Sequence, residues 1–282
     1  MGESFDNGAN KDQIDAAVVH GLRARAYLLM HKWKEAAADA EAAIAGGTPQ
    51  SIKEVSTPTF NSASAASWLW GVMITEDNDV VKTGIINWPS HLCSLTGSGY
   101  TTLVGAWRFV SSKLYDMIPA SDIRKQWFVS PEGTTSLVGP EVVGSFGMDP
   151  YTNVKFGMKS GIGSTTNNND WPLMRVEEMY LIEAEAAAHQ DVAEGKKLIE
   201  NFMKNYRDAK YVCKANSKDA LVDEIVFQKR VELWGEGQTF FDIKRLNYSV
   251  TRGYAGTNFY PLCRFNTNGR PAWMNFVIVR TE

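Results

Sequence analysis

Cysteine is scarce in this chain. Cys93, Cys213 and Cys263 lie far apart, match no zinc-ligand spacing and are too few for a disulfide framework. No apolar run approaches the ~18 residues that a membrane-spanning helix needs. Neither sign of charge dominates: 29 Lys and Arg stand against 32 Asp and Glu, a formal net charge of −3 that leaves no electrostatic footprint for nucleic acid. The four histidines, His20, His31, His91 and His189, show no metal-binding spacing, and His20 and His31 read as surface residues beside the first hairpin. Also missing are a G-x-S-x-G elbow, a P-loop and a dinucleotide fingerprint. The opening GESFDNGANKD has neither the basic nor the apolar region of a signal peptide. What is present is globular. Hydrophobic residues make up 44% and charged residues 22% of 282, with 9 Trp, 10 Tyr and 13 Phe. A chain this long buries roughly three-quarters of its unfolded surface.

Residues 14–47 carry the 3.6-residue period twice. Ile14, Ala17, Val18, Gly21 and Leu22 begin a first helix that extends through Leu29, with Asp12 placed to cap it. A second helix puts Trp33, Ala36, Ala37, Ala40 and Ile44 on one face and ends at Gly46-Gly47 and Pro49. Small residues at Ala24, Ala36 and Ala43, with Tyr27 and Trp33 between them, fit a tetratricopeptide-type hairpin, and equally any close-packed pair of helices.

From 48 to 170 the texture changes. This stretch holds just over half of the glycines and of the tryptophans, with helical periodicity only over Ala63–Met73 and Ser111–Ile118. Its apolar and aromatic content argues against disorder, so it reads as a long ordered excursion that carries function. The acidic run Glu76-Asp77-Asn78-Asp79 lacks the glycine and distal glutamate of a calcium loop and reads as a solvated turn.

Helical periodicity returns over 171–246. Helices are expected from Leu173 to Ala188, from Val192 to Tyr206 behind an Asp191 cap, and from Ser217 to Gly235. The segment QKRVELWGEGQTFFDIKRLN then gathers Arg230, Glu232, Glu236, Asp242 and Arg245 among aromatics. Glu232 and Glu236, one turn apart, could be an acid/base pair. Carboxylates beside arginines have lowered pKa values and make poor general acids, so the structural reading is preferred. Residues 247–282 form an irregular tail.

Three stretches resemble the SusD/RagB outer-membrane lipoproteins of Bacteroidetes glycan-uptake systems. DWPLMRVEEMYLIEAEA is similar to a family helix through Asp170, Pro172, Arg175, Glu178, Leu181, Ala184, Glu185 and Ala186. KRVELWGEGQTFFDIKR is similar to a second signature through Arg230, Glu232-Leu233, Glu236-Gly237, Asp242 and Arg245, with Thr239 where an arginine is usual. GLRARAYLLMHKWKEAAADAEAAIAGG resembles the family's late tetratricopeptide repeat, and LYDMIPASDIRKQWF and Lys155-Phe156 match in type and order. The likeness runs from Ile14 to about Asn247, while the tail NFYPLCRFNTNGRPAWMNFVIVRTE departs from it.

The resemblance implies a mainly α fold, with tetratricopeptide-like hairpins and a loop-rich excursion carrying minor β structure. It implies the C-terminal portion of a longer protein, displayed at the outer-membrane surface through a lipid anchor that this sequence does not contain. Such proteins bind an oligosaccharide or polysaccharide and deliver it to a SusC-like TonB-dependent transporter, without catalysis, metal or cofactor. Sugar rings stack their apolar faces on aromatics and need polar partners at the rim. Asn87, Trp88, His91, Tyr100 and Trp107 supply that mixture in a glycine-rich context. Trp88 precedes Pro89 and is expected in extended backbone, pointing outward, while Trp68 and Trp70 are expected in the core. Two other functions stay open. One is a protein-interaction module without sugar binding. The other is a glycoside hydrolase, for which Asp77, Asp79 and Asp122 are the loop carboxylates and show no paired spacing.

Overall fold

The computed structural model describes residues 10–83 and 87–275. The architecture is mainly α, with eleven helices and one two-stranded sheet among the described residues. An N-terminal hairpin pairs α1 (Ala16–Leu29) with α2 (Trp33–Ile44). Its cap is Asp15, whose carboxylate accepts from Val18 N at 2.8 Å, and not Asp12. A capping carboxylate must sit one residue before the helix, and Asp12 lies too far upstream. The helix ends in a Schellman turn: Lys32 N donates to Tyr27 O, and His31 takes the left-handed conformation that glycine usually fills. Ala24, Ala36, Ala40 and Ala43 are fully buried, which lets both helices close onto the rest of the protein.

The hairpin packs on α8 (Val176–Gln190). Helices α9 (Val192–Tyr206) and α10 (Lys218–Glu232) cover other faces of α8, and α11 (Thr239–Leu246) follows. Because α8 is enclosed on several sides, it is buried around most of its circumference and shows no clean stripe. Asp191 caps α9 by accepting from Ala193 N and Glu194 N, and Ser217 caps α10.

Two expected helices begin differently. Ala63–Met73 contains β1 (Trp68–Val72), and Leu173 lies in β2 (Trp171–Arg175), which pairs antiparallel with β1. Pro172 has no N–H for a helix interior, and aromatic and β-branched residues suit a pleated surface. The chain turns helical only at Val176, with Arg175 still extended. Trp68 is fully buried, and Trp70 is partly buried against the hairpin core.

Between the strands lie five short helices: α3 (Asp79–Lys82), α4 (Trp88–Leu92), α5 (Tyr100–Leu103), α6 (Ser112–Met117) and α7 (Pro140–Phe146). This excursion is more than a surface. It supplies most of the largest hydrophobic cluster, including Phe60, Leu95, Trp107, Trp127, Phe128, Val154 and Phe156. Single-residue β-bridges from Thr59 to Phe156, Phe109 to Thr152 and Phe128 to Asn153 replace extended sheets.

Candidate ligand-binding site

The charged signature is the first place to look for chemistry. Glu232 lies fully buried and accepts from Arg207 at 2.7 and 2.8 Å and from Arg175 at 3.2 Å, with Arg124 at 3.4 Å. Glu236 accepts from both Arg175 Nη2 and Nε at 2.9 Å and from Lys155 at 2.6 Å. Asp122 pairs with Arg124 at 2.6 Å, and Glu177 bridges Arg175 at 2.9 Å and Arg207 at 3.2 Å. Four cations thus meet four carboxylates in a neutral, buried network. The guanidinium groups hold Glu232 and Glu236 below the usual carboxylate range despite the opposing effect of burial. Lys155, whose ammonium is buried over the Phe60 ring, is pushed down to about 8 by burial. These carboxylates clamp five chain segments together and have no free face for a substrate. A satellite set joins Asp242 to Lys229 and Arg245, and Arg245 to Glu185.

The five residues singled out for ligand contact separate into three environments. Asn87 is 6% exposed; it caps α4 by accepting from Ser90 N and donates to Val80 O and Asn167 O, each at 3.1 Å. Trp88 opens α4 instead of standing in extended backbone, because a proline in the first helical turn sacrifices no hydrogen bond. Its ring packs edge-on against Phe156 at 5.2 Å and so faces the core. His91 and Tyr100 come together, partly exposed, with rings stacked at 4.3 Å and 23°. Trp107 is only 7% exposed, and what remains open lines a groove.

That groove has a volume of about 660 Å³. One wall is the segment from Val104 to Ser111 with Leu92, the residue after His91. The other wall comes from Trp234-Gly235 and from the tail, through Arg252, Asn258, Phe259, Tyr260 and Cys263. Five aromatics therefore line it: Trp107, Phe109, Trp234, Phe259 and Tyr260. Trp234 is braced edge-on by Phe128 at 5.4 Å. Asn258 ties the walls together, donating to Val110 O at 2.8 Å and accepting from Ser112 N at 2.9 Å. Arg252 lies over the rings of Phe259 and Phe265, 5.1 and 5.0 Å from their centroids. Tyr260, 73% exposed, stands at the rim. The tail half of this groove escapes a sequence reading, because its partners lie about 150 residues upstream. The one signal is the run Asn258-Phe259-Tyr260 inside a polar tail.

Elsewhere, Asn78 of the acidic run accepts from Thr75 N at 2.6 Å in a local turn. Among the described residues, no three or more His, Cys, Asp or Glu are grouped to hold a metal ion.

Residues 118–268, more than half of the chain, match the model of the SusD family. The chain belongs to the SusD family. Solved structures agree on the fold. A SusD-like carbohydrate binding protein from Bacteroides vulgatus is 25% identical, with a TM-score of 0.66 over 93% of this chain and 53% of that one. A SusD superfamily protein from Bacteroides thetaiotaomicron is 21% identical, with a TM-score of 0.68 over 89% and 54%. Another from Bacteroides vulgatus, 17% identical, reaches a TM-score of 0.72 over 93% and 55%. The chain spans about half the length of these relatives. No curated protein matches it. Among the described residues no helix is long and apolar enough to cross a membrane.

Proposed function

We propose that this chain binds oligosaccharide or polysaccharide without transforming it, as part of a surface receptor that passes glycan to a SusC-like TonB-dependent transporter in the outer membrane. The observation that carries the reading is the groove, where five aromatic rings are interleaved with Arg108, Arg252 and Asn258. Flat rings meet the apolar faces of sugars, and the guanidinium and amide groups meet their hydroxyls. Membership of the SusD family supports it, as does the likeness to a relative described as carbohydrate binding. Within this reading Trp107 contacts the sugar, the His91–Tyr100 stack extends the surface beside Leu92, and Asn87 and Trp88 hold the segment in place. Lipid anchoring and the transporter partnership come from the family resemblance. Of the carboxylates considered for catalysis, Asp122, Glu232 and Glu236 belong to the buried network, while Asp77 and Asp79 stand exposed in the acidic turn.

The test is calorimetry on a panel of glycans, with chromatography for products. Saturable binding without products is expected, and Tyr260→Ala should weaken it about tenfold, a typical cost for losing one stacked ring, while the unfolding midpoint is unchanged. No binding across the panel by a folded chain, or the appearance of shorter products, would sink the proposal.

A specific observation favours interaction through the hairpin as a second property. Val19, Leu22, Leu29 and Met30 form a partly exposed apolar set on and just after α1, the kind of surface that packs against a further helical element.

A further inference from the structure

Arg230 differs from five other sheltered arginines, each of which has a carboxylate partner. Arg25 pairs with Glu178 at 2.6 Å, Arg124 with Asp122, Arg175 with Glu177 and Glu236, Arg207 with Glu232, and Arg245 with Glu185 and Asp242. The guanidinium of Arg230, partly buried on α10, makes no hydrogen bond or ion pair with any described residue, and the group that acts on it is the Tyr248 phenol. Burial lowers its pKa, whereas neighbouring acids raise those of Arg25, Arg124, Arg175 and Arg245. A guanidinium still stays charged at neutral pH. An unpaired, partly desolvated charge is unfavourable for the fold, and a fold that keeps one has a use for it.

Its surroundings show the use. Arg230 lines a cavity of about 390 Å³ between α6, α10, α11 and the chain that follows. Lys113 and Arg252 line it too, with the hydroxyl residues Thr239, Ser249 and Thr251. None of these three cations has a carboxylate partner among the described residues; Arg252 rests on the Phe259 and Phe265 rings. The one carboxylate on the wall, Asp242, is engaged by Lys229 at 2.9 Å and Arg245 at 2.6 Å. Tyr248, also on the wall, donates its hydroxyl to Asp223. The cavity is therefore rich in donors and net positive. It is also joined to the aromatic groove, since Ser111, Arg252 and Phe259 line both.

We propose that this cavity receives the anionic substituent, a carboxylate or a sulfate ester, of an acidic glycan whose rings lie in the adjoining groove. The inference rests on the glycan-binding reading and narrows its substrate to acidic polysaccharides. An oxyanion bound there accepts hydrogen bonds from Arg230 and Arg252 and supplies the counter-charge that Arg230 lacks, and Lys113 at the open edge adds long-range attraction.

The experiment is calorimetry at fixed ionic strength with matched pairs. Polygalacturonate is compared with its carboxyl-reduced form, and carrageenan, a sulfated galactan without carboxylates, with its desulfated form, on wild type, Arg230→Met, Arg230→Lys and Tyr260→Ala. The acidic member of at least one pair should bind tenfold or more tightly than its neutral match, and the pair that shows this tells carboxylate from sulfate. Arg230→Met should collapse that ratio toward one, and Arg230→Lys should restore part of it. Melting of Arg230→Met without ligand should be unchanged or higher, because no carboxylate loses its partner. A structural arginine would give the opposite, a lower midpoint. Equal affinity for both members, or an unchanged ratio in Arg230→Met, overturns the inference. If both members then bind alike and Tyr260→Ala weakens both, the glycan reading stands while this one falls. If no member binds a folded chain, the glycan reading fails and takes this inference with it.

Discussion

Glu183 lacks the arginine partner that the other acids of α8 have. Glu177, Glu178 and Glu185 are buried with arginine partners, whereas Glu183 is partly buried beside Glu41 of α2 and Glu194 of α9. Burial first, then these two like charges, push its carboxyl up from 4.5 to about 7. The folded state therefore binds a proton more tightly than the unfolded chain between those two values. The stability that this contributes is complete below the unfolded pKa and is lost as pH rises through about 7. At pH 8 a charged Glu183 works against the fold, and Glu183→Gln removes the charge while keeping the shape. Solvent reaches part of the group, so the penalty is screened, and a rise of about 2–4 °C in melting temperature is a reasonable scale. Thermal melts of both proteins at pH 8 and pH 4.5 check this: the gain should be present at the first and absent at the second. Equal gains at both would mean that helix propensity, not charge, is responsible.

At the scale of elements, the crossing of α8 and α9 depends on Gly195. A Cβ built there would lie 2.6 Å from the backbone N and Cα of Ala188, which cannot move without shifting the central helix. Gly144 of α7 is a control, since a Cβ there meets nothing within 4 Å and its backbone needs no special conformation. Gly195→Ala should cost about 1–3 kcal/mol by overpacking, whereas Gly144→Ala should be neutral or gain up to about 1 kcal/mol. Urea midpoints read both, with slopes unchanged if only stability moves. Helices α9 and α10 were legible because each has a capping side chain, Asp191 or Ser217, directly before its apolar stripe. The start of α8 was not. Its upstream turn is a strand that exists only because Trp68–Val72 lies beside it, about 100 residues away. Within the candidate site, Trp107 stood out as an aromatic in a glycine-rich stretch, but the opposing wall from Arg252 to Cys263 is assembled by long-range contact. Likewise Glu232 and Glu236 were recognisable as arginine-bound acids. Their partners proved to be the distant Arg124, Arg175 and Arg207, while the adjacent Arg230 was left over.

For the molecule as a whole, the buried network decides whether the excursion and the helical scaffold unfold together. Asp122, Arg124 and Lys155 belong to the excursion; Arg207, Glu232 and Glu236 belong to the scaffold, and Arg175 ends the strand between them. Removing one charge from such a set leaves others buried and unpaired, at a cost of about 3–5 kcal/mol. Acid does this without mutation. Glu232 and Glu236 are held below 4.5 in the folded state, chiefly by Arg207 for the first and Arg175 for the second, in opposition to burial. For groups lowered on folding, the contribution is present above the unfolded pKa and disappears as pH falls through the folded value. Stability should therefore decline from about pH 4.5 downward, opposite in direction to the Glu183 effect. Because the network spans both parts, near-ultraviolet circular dichroism, dominated by Trp107, Trp127 and the other packed rings of the excursion core, should be lost in the same transition as the far-ultraviolet helical signal. A near-ultraviolet loss that precedes the helical one by a pH unit or more would show that the excursion releases alone, and that the eight charges do not act as one clamp.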